Sequence, residues 1–208
     1  MKPQEIEDKS FQTIEAEAGE HGFDEREWPV VRRMIHTSAD FDYIETIRFY
    51  KGGVNPIDAG IQAILQGKNI ITDTNMARVG IRKREIHEFG GQVSCLIADE
   101  AVAIQAKKAG TTRALAAVDM AADRMEGGIY VVGNAPTALL RLMELIREKK
   151  VNPALIIGFP VGFVNAAESK DELLGLELPY ITNKGRKGGS NIAASIVNAL
   201  AIMAFAQK

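Results

Sequence analysis

Cysteine is nearly absent: the chain holds one, Cys95, inside an apolar run. That excludes a disulfide framework within the chain and fits a reducing compartment. Histidine is scarce as well. His21, His36 and His87 are the full set, and no histidine and cysteine cluster has metal-ligand spacing. No metal site is therefore expected. No apolar run is long enough to span a bilayer. The opening residues Met1 to Glu5 are polar and lack the apolar centre of a signal peptide. A cytoplasmic protein with no membrane role is the expectation. An excess of one charge is also missing. The formal net charge is −2, which gives no support to nucleic-acid binding. Neither G-x-G-x-x-G after a strand nor G-x-S-x-G occurs, so a dinucleotide cofactor and a nucleophile elbow have no support.

What is present is enough apolar sequence for one good core. The 208 residues predict a single domain spanning 1–208. Short apolar runs recur at Ile70–Asp73, Val93–Ile97, Ile129–Val132, Ala154–Ile157 and Pro179–Thr182. Their β-branched residues suit buried strands. Helical patterns lie between them. Asn55-Pro56 opens one that Gly67 closes, Asp99 can cap Ala101–Lys108, Pro136 starts one ending near Lys149, and Ser190 can cap the last. Before them, Ile6, Phe11, Ile14 and Ala18 share a helix face. Asp24-Glu25-Arg26-Glu27 reads as a capping box for a second helix ending near Met34–Ser38. The fold class predicted is α/β, three-layer, a mostly parallel sheet flanked by helices, with a helical N-terminal segment.

Polar residues gather where strands end: Asp73-Thr74, Asp99, Gly133-Asn134, Gly158-Phe159-Pro160 and Thr182-Asn183-Lys184. In an open parallel sheet those ends share one crevice for ligands. Gly185-Arg186-Lys187-Gly188-Gly189-Ser190 then opens the last helix. Its cations and exposed N–H groups suit anions, although its spacing is not that of a Walker A loop. Packing at a turn is the alternative reading. His36 also has two readings, a structural role or a proton donor. A helix C-terminus favours the imidazolium form, but pattern alone favours structure. His21 and His87 read as exposed surface residues. Arg113 follows Thr111-Thr112 at a helix start, where a cation suits either a surface or a carboxylate site. Cys95 reads as core.

Four segments resemble, in order, the precorrin-8X methylmutase family, whose anaerobic-pathway version is cobalt-precorrin-8 methylmutase. They are Met34–Asp40, Val132–Leu139, Gly158–Val164 with Glu168-Ser169-Lys170, and Gly185–Ser190. The resemblance implies an isomerase of cobalamin biosynthesis. It would move a methyl group from C-11 to C-12 of a tetrapyrrole, giving hydrogenobyrinate or cobyrinate. It implies no cofactor, and any cobalt is carried by the substrate. His36 matches the family's catalytic histidine, which protonates the ring. Ser10, Thr74, Arg78 and Arg113 match substrate-binding positions. Lys184, Arg186, Lys187, Gly188 and Gly189 would meet the substrate's carboxylates, with Phe159, Pro160, Val161 and Phe163 as an apolar wall. A homodimer and handover to other pathway enzymes are also implied.

Two positions depart from the family pattern: Ala39 stands where glycine is usual and Ala77 where valine is usual. A noncatalytic corrinoid carrier would use the same cationic loops. An α/β phosphotransferase is disfavoured by the loop spacing.

Overall fold

The computed structural model describes residues 2–208. Its centre is a six-stranded sheet in the order β1-β6-β5-β4-β2-β3. The strands are β1 (Ile47–Phe49), β2 (Ile70–Thr72), β3 (Val93–Ser94), β4 (Ile129–Val132), β5 (Leu155–Gly158) and β6 (Tyr180–Asn183). All neighbours are parallel except β1, which runs antiparallel to β6, with Ile47 opposite Asn183. Side chains alternate across the sheet, as the two-residue period of a strand requires. Ile70, Ile129, Val131, Leu155, Ile157 and Ile181 enter one core. Ile71, Tyr130, Val132, Ile156 and Tyr180 enter the other.

The first core is covered by α1 (Pro3–Ala18), α2 (Glu27–Ser38), α4 (Pro56–Leu65) and α11 (Ser190–Phe205), with α3 (Tyr43–Thr46), α5 (Asn75–Gly80) and α6 (Lys83–Glu88) at its margin. The second is covered by α8 (Arg113–Ala121), α9 (Pro136–Arg147) and α10 (Ala166–Leu173), with α7 (Glu100–Ala109) packed on α8. The expected three layers and helical N-terminal segment are present. No helix among the described residues is long and apolar enough to cross a membrane.

The helix boundaries follow local chemistry. Asn55 caps α4 by accepting from the N–H groups of Ile57 at 2.9 Å and Asp58 at 3.3 Å. Thr74 and Thr112 cap α5 and α8 through Ala77 N–H and Leu115 N–H. Four expectations need correction. Asp24 Oδ1 does accept from the N–H groups of Arg26 and Glu27, but the Glu27 carboxylate does not reach back to close the box. It is buried and paired with Lys51. Asp99 precedes α7 without a side-chain cap. Ser190 is the first residue of α11, after Gly189, and its hydroxyl turns to Thr74 instead. Val93–Ile97 yields strand at Val93–Ser94 alone.

Candidate active site

His36 stands in the last turn of α2. Val30, Val31, Met34 and Ile35 bury that helix, and the next position around the turn leaves His36 exposed. Helix α1 lies alongside, fixed by polar ties. Trp28 Nε1 donates to Glu15 Oε1 at 3.0 Å, Arg33 pairs with Glu7 at 2.6 Å, and Arg32 also pairs with Glu15. Phe11 sits under the Arg32 and Arg33 guanidinium groups, at 4.4 and 4.9 Å. Docked this way, α1 brings Ser10 Oγ to 2.8 Å from His36 Nδ1. Phe11 meets the imidazole edge-on, with centroids 5.1 Å apart. A cleft of about 260 Å³ opens beside the pair, lined mainly by Ser10, Ile14, Ile35, His36, Ala39 and Phe41.

A hydroxyl can accept from Nδ1–H or donate to a bare Nδ1. With Nδ1–H bonded to Ser10, Nε2 is the nitrogen left to gain and lose a proton. The arrangement therefore holds the ring in one orientation in a wet, open setting.

The glycine-rich loop lies next to this segment. Its Lys184 N–H donates to Thr46 O at 2.8 Å. Lys187 Nζ sits 2.6 Å from both Asp40 Oδ2 and Asp42 Oδ2, four and six residues past His36. Those two carboxylates hold its pKa above the usual lysine value. So the Lys187 cation is engaged within the chain. Lys184 forms no ion pair among the described residues, and Arg186 lies 5.5 Å over the Phe163 ring. Gly188 has to be glycine: an added Cβ would fall 2.4 Å from Phe159 O. Gly189 takes φ 130° and donates its N–H to the same oxygen at 2.9 Å. Beneath the loop lies Lys170, fully buried. Its Nζ donates to Lys187 O at 2.6 Å and Asn183 Oδ1 at 3.2 Å. The Glu168-Ser169-Lys170 pattern by itself assigns this lysine no task. Its place on the face shared with Ala166, Ala167, Leu173 and Leu174, three and four residues away, is the signal that could have found it.

The other residues divide between the loop and the rest of the fold. Thr74 Oγ1 meets Ser190 Oγ at 2.7 Å, which joins the end of β2 to the start of α11. Arg78 is on α5, and its Nε donates to Asn75 Oδ1 at 3.0 Å. Arg113 is exposed on α8, on the opposite face of the sheet from α2. At the switch point between β2 and β4, one of the strand-end polar groups is turned onto the chain itself. The Asp73 carboxylate accepts the N–H groups of Gly133, Asn134 and Ala135 at 2.8 to 2.9 Å. Burial pushes this carboxyl up from its usual range, and the three donors pull it back.

The apolar wall is corrected too. Phe159 and Pro160 are buried, whereas Val161 and Phe163 are exposed. His21 is not a solvated surface residue. It is half-buried and stacked on Trp28 at 3.8 Å between centroids. Among the described residues no group of three or more His, Cys, Asp or Glu side chains could hold a metal ion.

The fold is thus that of a doubly covered α/β protein with a lone histidine and a cationic glycine loop at one end. A family model described as precorrin-8X methylmutase matches residues 5–203. The cobalt-precorrin-8 methylmutase of Priestia megaterium is 46% identical over 98% of this chain and 89% of its own. That of Leptospira interrogans is 44% identical over 95% and 92%. A solved structure of precorrin-8x methyl mutase from Thermus thermophilus superimposes with a TM-score of 0.91 at 44% identity, covering 98% of this chain and 97% of that one. The chain belongs to the precorrin-8X methylmutase family and is an isomerase of the methylmutase type.

Proposed function

We propose that the protein moves a methyl group from C-11 to C-12 of a precorrin-8 macrocycle, with His36 as the proton donor. The reading is carried by one observation: an exposed imidazole held through Nδ1 by Ser10 at the edge of a cleft. Protonation of the ring system by Nε2 withdraws electron density from C-12, so that the methyl group leaves C-11 with its bonding pair and forms the new bond at C-12. The proton returns once the substituent has moved, so the reaction consumes no oxidant or reductant. A positioned general acid contributes about 10²–10⁴-fold. Holding the macrocycle in the migrating geometry supplies much of the rest. Lys184, Arg186 and the N–H groups at the start of α11 suit the ring's carboxylates, and Val161 and Phe163 suit its apolar body. Cobalt, where present, is carried by the four ring nitrogens. The relatives' names favour the cobalt-loaded ring.

Activity is read from the absorption change as the ring is converted. His36→Ala is expected to abolish conversion while still binding the coloured ring. Conversion at the wild-type rate by that variant removes His36 from the reaction. Retention of the ring by the wild-type protein with no spectral change favours a carrier instead. We also infer a homodimer in a cytoplasmic setting, with the substrate near the subunit interface. Exposed Met76, Val79, Phe163 and Val164 are apolar surface that a second copy would cover, and a monomer mass by sedimentation rules this out.

A further inference from the structure

Lys170 is a buried cation with no anion bonded to it. It is fully enclosed on α10 and enters no ion pair among the described residues. Removing an ammonium from water without a paired carboxylate costs stability. A methionine of similar length would fill the same space more cheaply, so packing does not account for the lysine. Its hydrogen bonds do. Nζ donates to Lys187 O at 2.6 Å and Asn183 Oδ1 at 3.2 Å. Asn183, itself buried, donates from Nδ2 to Lys184 O at 3.1 Å and again to Lys187 O at 3.0 Å. The Lys187 carbonyl therefore accepts twice, and the turn across 184–187 is drawn onto the end of β6 and onto α10.

Residue 187 is anchored at its other end as well. Its ammonium reaches Asp40 and Asp42 at 2.6 Å each. That acidic pair is folded onto the end of α2. Asp40 N–H donates to Ser38 Oγ at 3.2 Å, and Asp42 N–H donates to Asp40 Oδ1 at 3.0 Å. An unbroken line of hydrogen bonds thus runs from Lys170 through Lys187 to the residues that follow His36.

We propose that Lys170 is a positioning residue: it fixes the 184–189 loop against the His36 segment, so that substrate carboxylates held by the loop set the ring over the imidazole. This rests on the reading of His36 and the loop as the substrate site. Lys170 touches no reacting atom and acts through Lys187. Burial also pushes its ammonium down to about 8, with Asp171 pulling the other way, as expected of a site kept for its donors at a cost in stability.

The test is Lys170→Met, with Lys187→Met and the double variant alongside. Each is assayed for conversion, for ring binding by absorption titration, and for thermal unfolding. In Lys170→Met the melting temperature stays level or rises. KM and the ring's Kd rise about tenfold while kcat stays within about threefold. The double variant binds no worse than the weaker single, since both cut one line of contacts. Wild-type KM and Kd in Lys170→Met overturn the proposal. So does a fall in melting temperature that accompanies the loss of binding, which would make Lys170 structural only. Failure of the wild-type protein to convert the ring removes the methylmutase reading alone, because the titration still tests Lys170.

Discussion

Ala39 carries a local strain with a defined cause. It follows α2 at φ 53° and ψ 31°, in the left-handed region, and its N–H donates to Ile35 O at 2.7 Å. That is the position after a helix where glycine is favoured, because a Cβ there crowds the backbone. The departure from the family pattern at this residue is therefore a departure in backbone ease, with the chemical groups of the segment untouched. Ala39→Gly is expected to raise stability by about 1 kcal/mol, read from the denaturant midpoint. That gain is what remains of the alanine strain after the added freedom of glycine in the unfolded chain is subtracted. An unchanged or lower midpoint would show that the turn tolerates the methyl group. His36 is the other residue whose setting repays attention. Its place at a helix end was legible from the apolar stripe before it. Its Ser10 partner was not, because nothing local in the sequence says that α1 lies alongside α2 in that register.

Elements with an apolar stripe or an apolar run of their own were readable: α1, α2, α4, α9, α11 and the four strands β2, β4, β5 and β6 fall where those patterns put them, within a residue or two. Elements without such a pattern were not. β1 is three residues, Ile47-Arg48-Phe49, and it exists because β6 offers it an edge. Helices α5 and α6 are six residues each, too short to show a period, and they are fixed by packing on α11. The polar residues at the strand ends were correctly grouped, yet one of them serves the fold rather than a ligand. Asp73 bonds three N–H groups of the β4–α9 turn and so ties β2 to β4 at the point where chain direction across the sheet reverses. Asp73→Ala leaves the buried Gly133 N–H and the partly buried N–H groups of Asn134 and Ala135 without their acceptor. A loss of about 2–4 kcal/mol is expected by chemical denaturation, with Asp73→Asn recovering part of it. A loss below about 1 kcal/mol would mean that water replaces the carboxylate.

Across the whole molecule, alkaline pH sets Lys170 against other groups. The Lys170 ammonium is held near 8 in the fold and titrates near 10.5 when unfolded. Between those values the unfolded chain binds the extra proton, so this group adds stability as pH rises. Below about 8 both states are charged and the burial cost stands in full. Tyr43, whose hydroxyl burial pushes up to about 12, works the other way, as do Tyr130 and Tyr180. Their stabilisation is complete below pH 10 and is lost above it. Burial also raises Cys95 above its usual thiol value, with the same sign from about pH 9. The total profile is therefore a compromise, but the difference between wild type and Lys170→Met isolates one term. At pH 7 the methionine variant is expected to be more stable by about 2 kcal/mol, after the unmet acceptor on Asn183 is subtracted. That advantage should shrink from pH 8 upward, vanish at about pH 9.5, and reverse by about pH 10.5, where only the unmet acceptor is left to separate the two proteins. A difference that stays flat across this window would mean that the Lys170 side chain reaches water in solution, and with it would go the reason for treating the lysine as a donor kept at the expense of stability.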